Sequence, residues 1–163
     1  TKKRHYKEIS QMAVQQSDYA KGICDLAVPE CAGETVAHFL KMTIPAAGFP
    51  LNDVVELGVV PAGCRVVDMT LHSDDLDTGA ALALNVGIMS GDWQDPDNAR
   101  TVGSEFFAAD AAAQTGVVSR MSLASGFNLS VSDVPRSIGV LIQTAAAAAQ
   151  TGQLRLTVLL ASE

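Results

Sequence analysis

Aromatic side chains are scarce in this sequence: Phe, Tyr and Trp make up 5% of its 163 residues, and Tyr6, Tyr19 and Trp93 are the only Tyr and Trp. Sugar-binding sites stack such rings on the apolar faces of sugars, so their shortage counts against a lectin. Cysteine is also sparse. Cys24, Cys31 and Cys64 are odd in number and contain no CxxC pair, which argues against a disulfide framework and against a zinc site. They read as small hydrophobes of a protein made in a reducing cytoplasm. His5, His38 and His72 lack the paired spacing of a transition-metal centre, and no glycine-rich phosphate loop with a following Gly-Lys-Ser or Gly-Lys-Thr occurs. No cofactor is expected. No run of about 18 apolar residues exists, so no segment reads as a membrane span. The charged start, Thr1 to Lys7, has no apolar segment after it and does not read as a secretory signal.

What is present is a globular composition, with 48% hydrophobic and 18% charged residues in a length that suits one domain. The net charge of −7 is unevenly placed. Lys2, Lys3, Arg4 and Lys7 put +4 into the first seven residues, which leaves 7 basic against 18 acidic residues, or −11, for the rest. A body this acidic repels phosphate backbones, so nucleic acid is not an expected partner.

Two textures divide the chain. Residues 1–35 are polar and weakly periodic, with Gln11, Gln15, Gln16 and Ser17 diluting the apolar positions, and read as an N-terminal arm with a short helix over residues 8–16. Residues 36–163 change to short Val-, Leu- and Ile-rich runs separated by Gly, Pro, Asp and Asn, the pattern of an all-β antiparallel sandwich. Residues 36–44 form a strand apolar on both faces, expected to be covered on both sides. Residues 53–60 and 64–72 flank Pro61, Ala62 and Gly63, a tight turn that predicts a hairpin. In residues 81–88 Leu82, Leu84, Val86 and Ile88 alternate with the small or polar Ala81, Ala83, Asn85 and Gly87, which suggests close approach of a neighbouring layer or a shallow exposed sheet. Residues 117–121, 127–131, 137–144 and 153–161 supply four more candidate strands, and residues 104–113 a helical turn or an irregular crossover. About eight strands with one long crossover loop suit a jelly roll; an immunoglobulin-like sandwich is the runner-up, without the Cys, Trp, Cys spacing that would support it.

Residues 145–149 are five alanines, too few for an independent helix, and are expected to form a hairpin loop whose apolar tip, Ala146, Ala147 and Ala148, offers a contact surface. Trp93, in the polar loop 91–100, is a second candidate interface anchor. His72 beside Asp74 and Asp75 is the best acid–base candidate, but no Gly-x-Ser-x-Gly elbow accompanies it, and an enzyme is not expected. Asp92, Asp95 and Asp97, with Asp74, Asp75 and Asp77, could bind calcium through carboxylate oxygens, yet neither loop has the twelve-residue pattern with Gly at six and Glu at twelve. Turns in which Asp bonds its own backbone are the simpler reading, and no metal site is assigned. Asn128-Leu129-Ser130 is formally a glycosylation sequon, placed in a candidate strand.

The stretch from Asp53 to Asp68 (DVVELGVVPAGCRVVD), the loop Ser73 to Gly79 (SDDLDTG), the run Leu84 to Gly91 (LNVGIMSG), and the later pieces RTVGSEFF from Arg100 and RSIGV from Arg136 carry a resemblance. Together they resemble the small decoration, or cement, proteins of tailed-bacteriophage heads, over roughly two-thirds of the chain. The resemblance implies a jelly-roll cement on the outer capsid surface of the virion, with the major capsid protein as partner, linking neighbouring capsomers. Physics is compatible with it, because a charged arm beside a compact sandwich can order on a partner and bury extra area. Lys2, Lys3, Arg4 and Lys7 are then the expected capsid-contact residues, and edge strands make a dimer or trimer plausible. A sugar- or receptor-binding sandwich of a virion is the alternative.

Overall fold

The computed structural model describes residues 14–31 and 33–162. Nine strands form two sheets among the described residues. They are β1 (Gln15–Gln16), β2 (Thr35–Ile44), β3 (Val54–Val60), β4 (Cys64–Ser73), β5 (Ala83–Ile88), β6 (Phe107–Asp110), β7 (Val118–Arg120), β8 (Arg136–Thr144) and β9 (Gly152–Ser162). One sheet has the order β1-β3-β8-β5-β6 and the other β2-β9-β4-β7. From β2 onward the chain changes sheet at every connection except β5 to β6. This is the strand order of a jelly roll, with the inner faces of two four-stranded sheets packed together and β1 added at one edge. The expected antiparallel β-sandwich is therefore what the chain forms.

The core is the aliphatic interior of this sandwich. Leu154, Leu156, Val158 and Leu160 of β9 are all buried, as their alternation predicts, and face Leu84, Val86, Ile138, Val140 and Ile142 of the other sheet within one cluster.

Both predicted hairpins are corrected. The turn at Pro61, Ala62 and Gly63 forms, with the Cys64 N–H donating to Pro61 O at 3.2 Å and Gly63 at φ +72°. Yet β3 pairs with β8 while β4 pairs with β9 and β7, so the turn arches from one sheet to the other. The 145–151 loop likewise joins β8 in one sheet to β9 in the other. Turn chemistry dictates that the chain reverses; which strands bond is decided by long-range partners that the local sequence does not display.

Three further expectations change. Strand β2 is covered on one face only among the described residues: His38, Leu40 and Ile44 are buried, whereas Ala37, Phe39, Lys41 and Thr43 are exposed, because no described segment lies over the outside of its sheet. Residues 127–131 are not a strand. Residues Ala124–Phe127 form one helical turn closed by the Asn128 N–H on Ala124 O, and a Cβ at Gly126 would collide with Met121 and crowd the backbone of Glu105. Gln15 and Gln16 are extended instead of helical, held in parallel pairing with Val55 and Glu56; the rest of the expected helix lies outside the described residues. The crossover at 104–113 contains β6 and a 3-10 turn, Ala112–Gln114.

The small residues on the outward face of β5 mark close approach of another layer. A Cβ at Gly87 would collide with the backbone of Gly103 and the carboxylate of Glu105, and one at Gly139 of β8 would meet Met89 and Val102. The 89–105 segment thus runs across the outside of the five-stranded sheet, and every residue of β3 is buried.

Candidate functional site

Two polar knots organise the surface loops. The first is centred on Glu56, a single carboxylate inside the otherwise apolar β3 and fully buried. Its partner Arg100, 4% exposed, comes from the long loop: the guanidinium Nη1 lies 2.7 Å from Glu56 Oε1. Arg100 Nη2 donates to Ser137 Oγ at 2.7 Å, and Ser137 Oγ donates in turn to Glu56 Oε1 at 2.7 Å. Two further guanidinium N–H groups donate to Ser90 O and Asp95 O. Gln16 Nε2 donates to Glu56 Oε2 at 2.9 Å, and the Gln94 N–H to Oε1 at 3.3 Å. A buried ion pair offsets its desolvation only when its other valences are filled, and here four of the five guanidinium N–H groups and both carboxylate oxygens have partners. The knot fastens β1, the 90–100 loop and β8 onto β3.

The second knot is Asp77, also fully buried. Its Oδ1 accepts the N–H groups of Gly79 at 2.9 Å and Ala148 at 2.7 Å; its Oδ2 accepts those of Ala81 at 2.7 Å, Leu82 at 2.8 Å and Ala147 at 3.1 Å. Burial pushes the carboxyl's pKa up, but the N–H groups of Ala148, Ala81, Leu82 and Ala147 outweigh it and hold the group well below the usual carboxylate range. One side chain thereby ties the 74–82 loop to the alanine loop.

Each expected site residue can now be placed. Ala147 and Ala148 are exposed with their backbone fixed by Asp77, while Ala146 is half-buried against the core. Trp93 is half-buried in the loop fastened by Arg100. The pairing of Ala83 with Thr144 and of Ile88 with Ile138 puts the alanine loop and the Trp93 loop at opposite ends of the sandwich, so they do not form one site. Lys2, Lys3, Arg4 and Lys7 lie outside the described residues. His72 Nε2 faces Thr157 Oγ1 at 3.4 Å, while Asp74 is paired with Arg155 at 2.9 Å and accepts the Gln153 N–H, both of which lower its pKa. Asp75, Asp95 and Asp97 each accept the N–H two residues on, the turn-forming use of Asp.

Glu56 and Arg100 are the residues sequence reasoning passed over. The signal for Glu56 was available: a lone charge in the run Val54 to Val60 requires a buried partner. Nothing in the local sequence marks Arg100 as that partner.

A third feature is a groove of about 300 Å³ between residues 16–21 and the β2 edge, lined by Gln16, Asp18, Lys21, Lys41, Thr43 and Gln153 among others.

No family model and no curated protein sequence matches the chain. Among solved structures it is similar to a chain in the capsid of Ralstonia phage GP4, at 38% identity and a TM-score of 0.85, over 93% of this chain and 99% of that one. It is also similar in fold to a chain of the capsid asymmetric unit of cyanophage Pam1, at 23% identity and a TM-score of 0.63, over 87% and 96% of the two chains. With that degree of identity maintained along almost the whole length of both chains, this protein belongs to the family of phage capsid proteins represented in the Ralstonia phage GP4 capsid.

Proposed function

We propose that the protein is a decoration, or cement, protein that sits on the outer surface of a phage head and links neighbouring capsomers. The observation that carries this reading is the match to a phage capsid chain of nearly the same extent, which makes that chain, too, a small single-sandwich component. Charge favours the outer side. A body with a net charge of −11 facing packaged nucleic acid would be repelled, whereas the same charge turned outward keeps the particle soluble. Many weakly held copies on one lattice reinforce one another by high effective concentration.

The major capsid protein is the partner in this reading, with contacts to neighbouring copies as a dimer or trimer. Lys2, Lys3, Arg4 and Lys7 pair with acidic groups on the shell, and the alanine loop and Trp93 supply apolar contact at the two ends of the sandwich. Purified protein mixed with undecorated heads should add density on the outside of the shell in electron micrographs. Density on the inner surface, or none at saturating protein, would sink the proposal. Deleting residues 1–7 should lower occupancy; unchanged occupancy removes the arm's basic residues from the contact.

A further inference from the structure

Seven basic residues belong to the acidic body, and five of them are engaged. Arg100, Arg120 and Arg155 are ion-paired, Arg136 donates to Ser130 O, and Arg65 donates to Phe127 O. The side chains of Lys21 and Lys41 alone have no hydrogen-bonding or ionic partner among the described residues, and both residues line the 300 Å³ groove. Its other polar walls are Gln16, Ser17, Asp18, Thr43 and Gln153, with Asp18 the single carboxylate.

The floor of this groove is an open sheet edge. Strand β2 is at the margin of its sheet and, among the described residues, pairs only with β9, in an unbroken antiparallel register from Thr35 to Ile44. Main-chain groups alternate in direction along such a strand. Thr43 is opposite Gln153, whose carbonyl accepts the Asp74 N–H on the far side of β9, so this pair does not bond across β2 and β9. Two and four residues earlier in β2, Lys41 and Phe39 share that orientation, and Phe39 O accepts the Tyr19 hydroxyl from the segment outside the sheet. The N–H and C=O groups of Lys41 and Thr43 therefore point off the ladder into the groove, between the two unpaired lysines.

We infer that this edge receives an extended acidic segment of the shell protein, which adds as a strand beside Lys41 and Thr43 and places its carboxylates on Lys21 and Lys41. Strand addition supplies main-chain bonds and the lysines supply the choice of sequence. The chain's own first residues are poor occupants, since Lys2, Lys3, Arg4 and Lys7 would be repelled by the same lysines. The inference rests on the proposed role on the capsid and names the site through which it acts.

Two variants test it on undecorated heads of the protein's own phage. Lys21→Glu with Lys41→Glu reverses the charge, and Thr43→Pro removes one outward N–H while leaving the main-chain bonds of the β2–β9 ladder in place, with loss of the exposed Gln153 Nε2 bond to Thr43 Oγ1. Both should weaken binding by about tenfold or more at low salt, with a cooperative thermal melt retained, and Lys21→Arg with Lys41→Arg should keep wild-type binding. If the wild-type protein decorates heads and both variants do so equally well at low and high salt, the groove is not the contact and the capsid role stands. If wild-type protein does not decorate at all, the proposed function itself fails. If the variants change self-association in the ultracentrifuge and leave head binding intact, the occupant is a second copy, and the assignment to the shell protein is overturned.

Discussion

The two sheets bury their inner faces in the same core but treat their outer faces in opposite ways. The five-stranded sheet is roofed by the 89–105 segment, so β3 is buried at every position, Gly87 and Gly139 have no room for a side chain, and a carboxylate lies sealed beneath an arginine. Among the described residues the four-stranded sheet carries no such roof: Phe39 is 67% and Val118 68% exposed, and its charged pairs, Arg120 with Asp68 and Arg155 with Asp74, lie at the surface. The contrast predicts that substitutions cost less on the outer face of the four-stranded sheet than beneath the roof of the other. It also shows which side of the molecule remains able to meet a partner.

Substitutions can break that contrast in a graded order. The largest effect is expected for Gly87→Val, whose side chain would be driven into Gly103 and Glu105; a loss above about 5 kcal/mol, read by urea denaturation, separates a roofed sheet from a bare one. Glu56→Ala follows, because it leaves the Arg100 guanidinium buried without its counter-charge, at a cost of about 3–5 kcal/mol. Replacing both Glu56 and Arg100 by Met should recover much of that loss, and a double-mutant cycle measures the coupling directly.

The third prediction concerns pH. The Asp77 carboxyl titrates lower in the folded chain than its ordinary value of 3.8, so the stability it contributes is complete above that value and is lost as pH falls through it toward the folded value. Asp77→Asn should lower the melting temperature at pH 7 and flatten the decline of stability between pH 5 and 2, as followed by calorimetry. An unchanged acid limb would mean that Asp77 does not hold the alanine loop. The smallest effect is expected on the bare sheet, where Phe39→Ser should change stability by no more than about 0.5 kcal/mol. A loss comparable to that of Glu56→Ala would show that the outer face of β2 is covered after all.

Much of the sandwich was legible because burial writes itself as alternation. The runs that became β5 and β9 carry their inward residues at every second position, whereas β2 is apolar on both faces and β4 breaks the period at a bulge between Val66 and Asp68; the small outward residues of β5 left a covering layer and an exposed sheet equally open. The run Phe127, Leu129, Val131 carried the same period and was not a strand, since a helical turn capped at Asn128 satisfied the local backbone first. Of the candidate site, Asp77 lay within the recognised acidic loop, but its role could not be read there: the N–H groups it accepts from Ala147 and Ala148 come from 70 and 71 residues away.

Composition and periodicity by themselves determined an acidic, ring-poor, all-β body with a basic start, because net charge and the two-residue repeat are properties of the chain before it folds. Only the tertiary structure decided that the Pro61 turn arches between sheets instead of closing a hairpin, that Glu56 meets Arg100, and that Lys21 and Lys41 share one groove beside an open strand. Those outcomes depend on which distant strands win the competition for each edge. That competition is settled by the packing of the whole core, and no local window of sequence contains it.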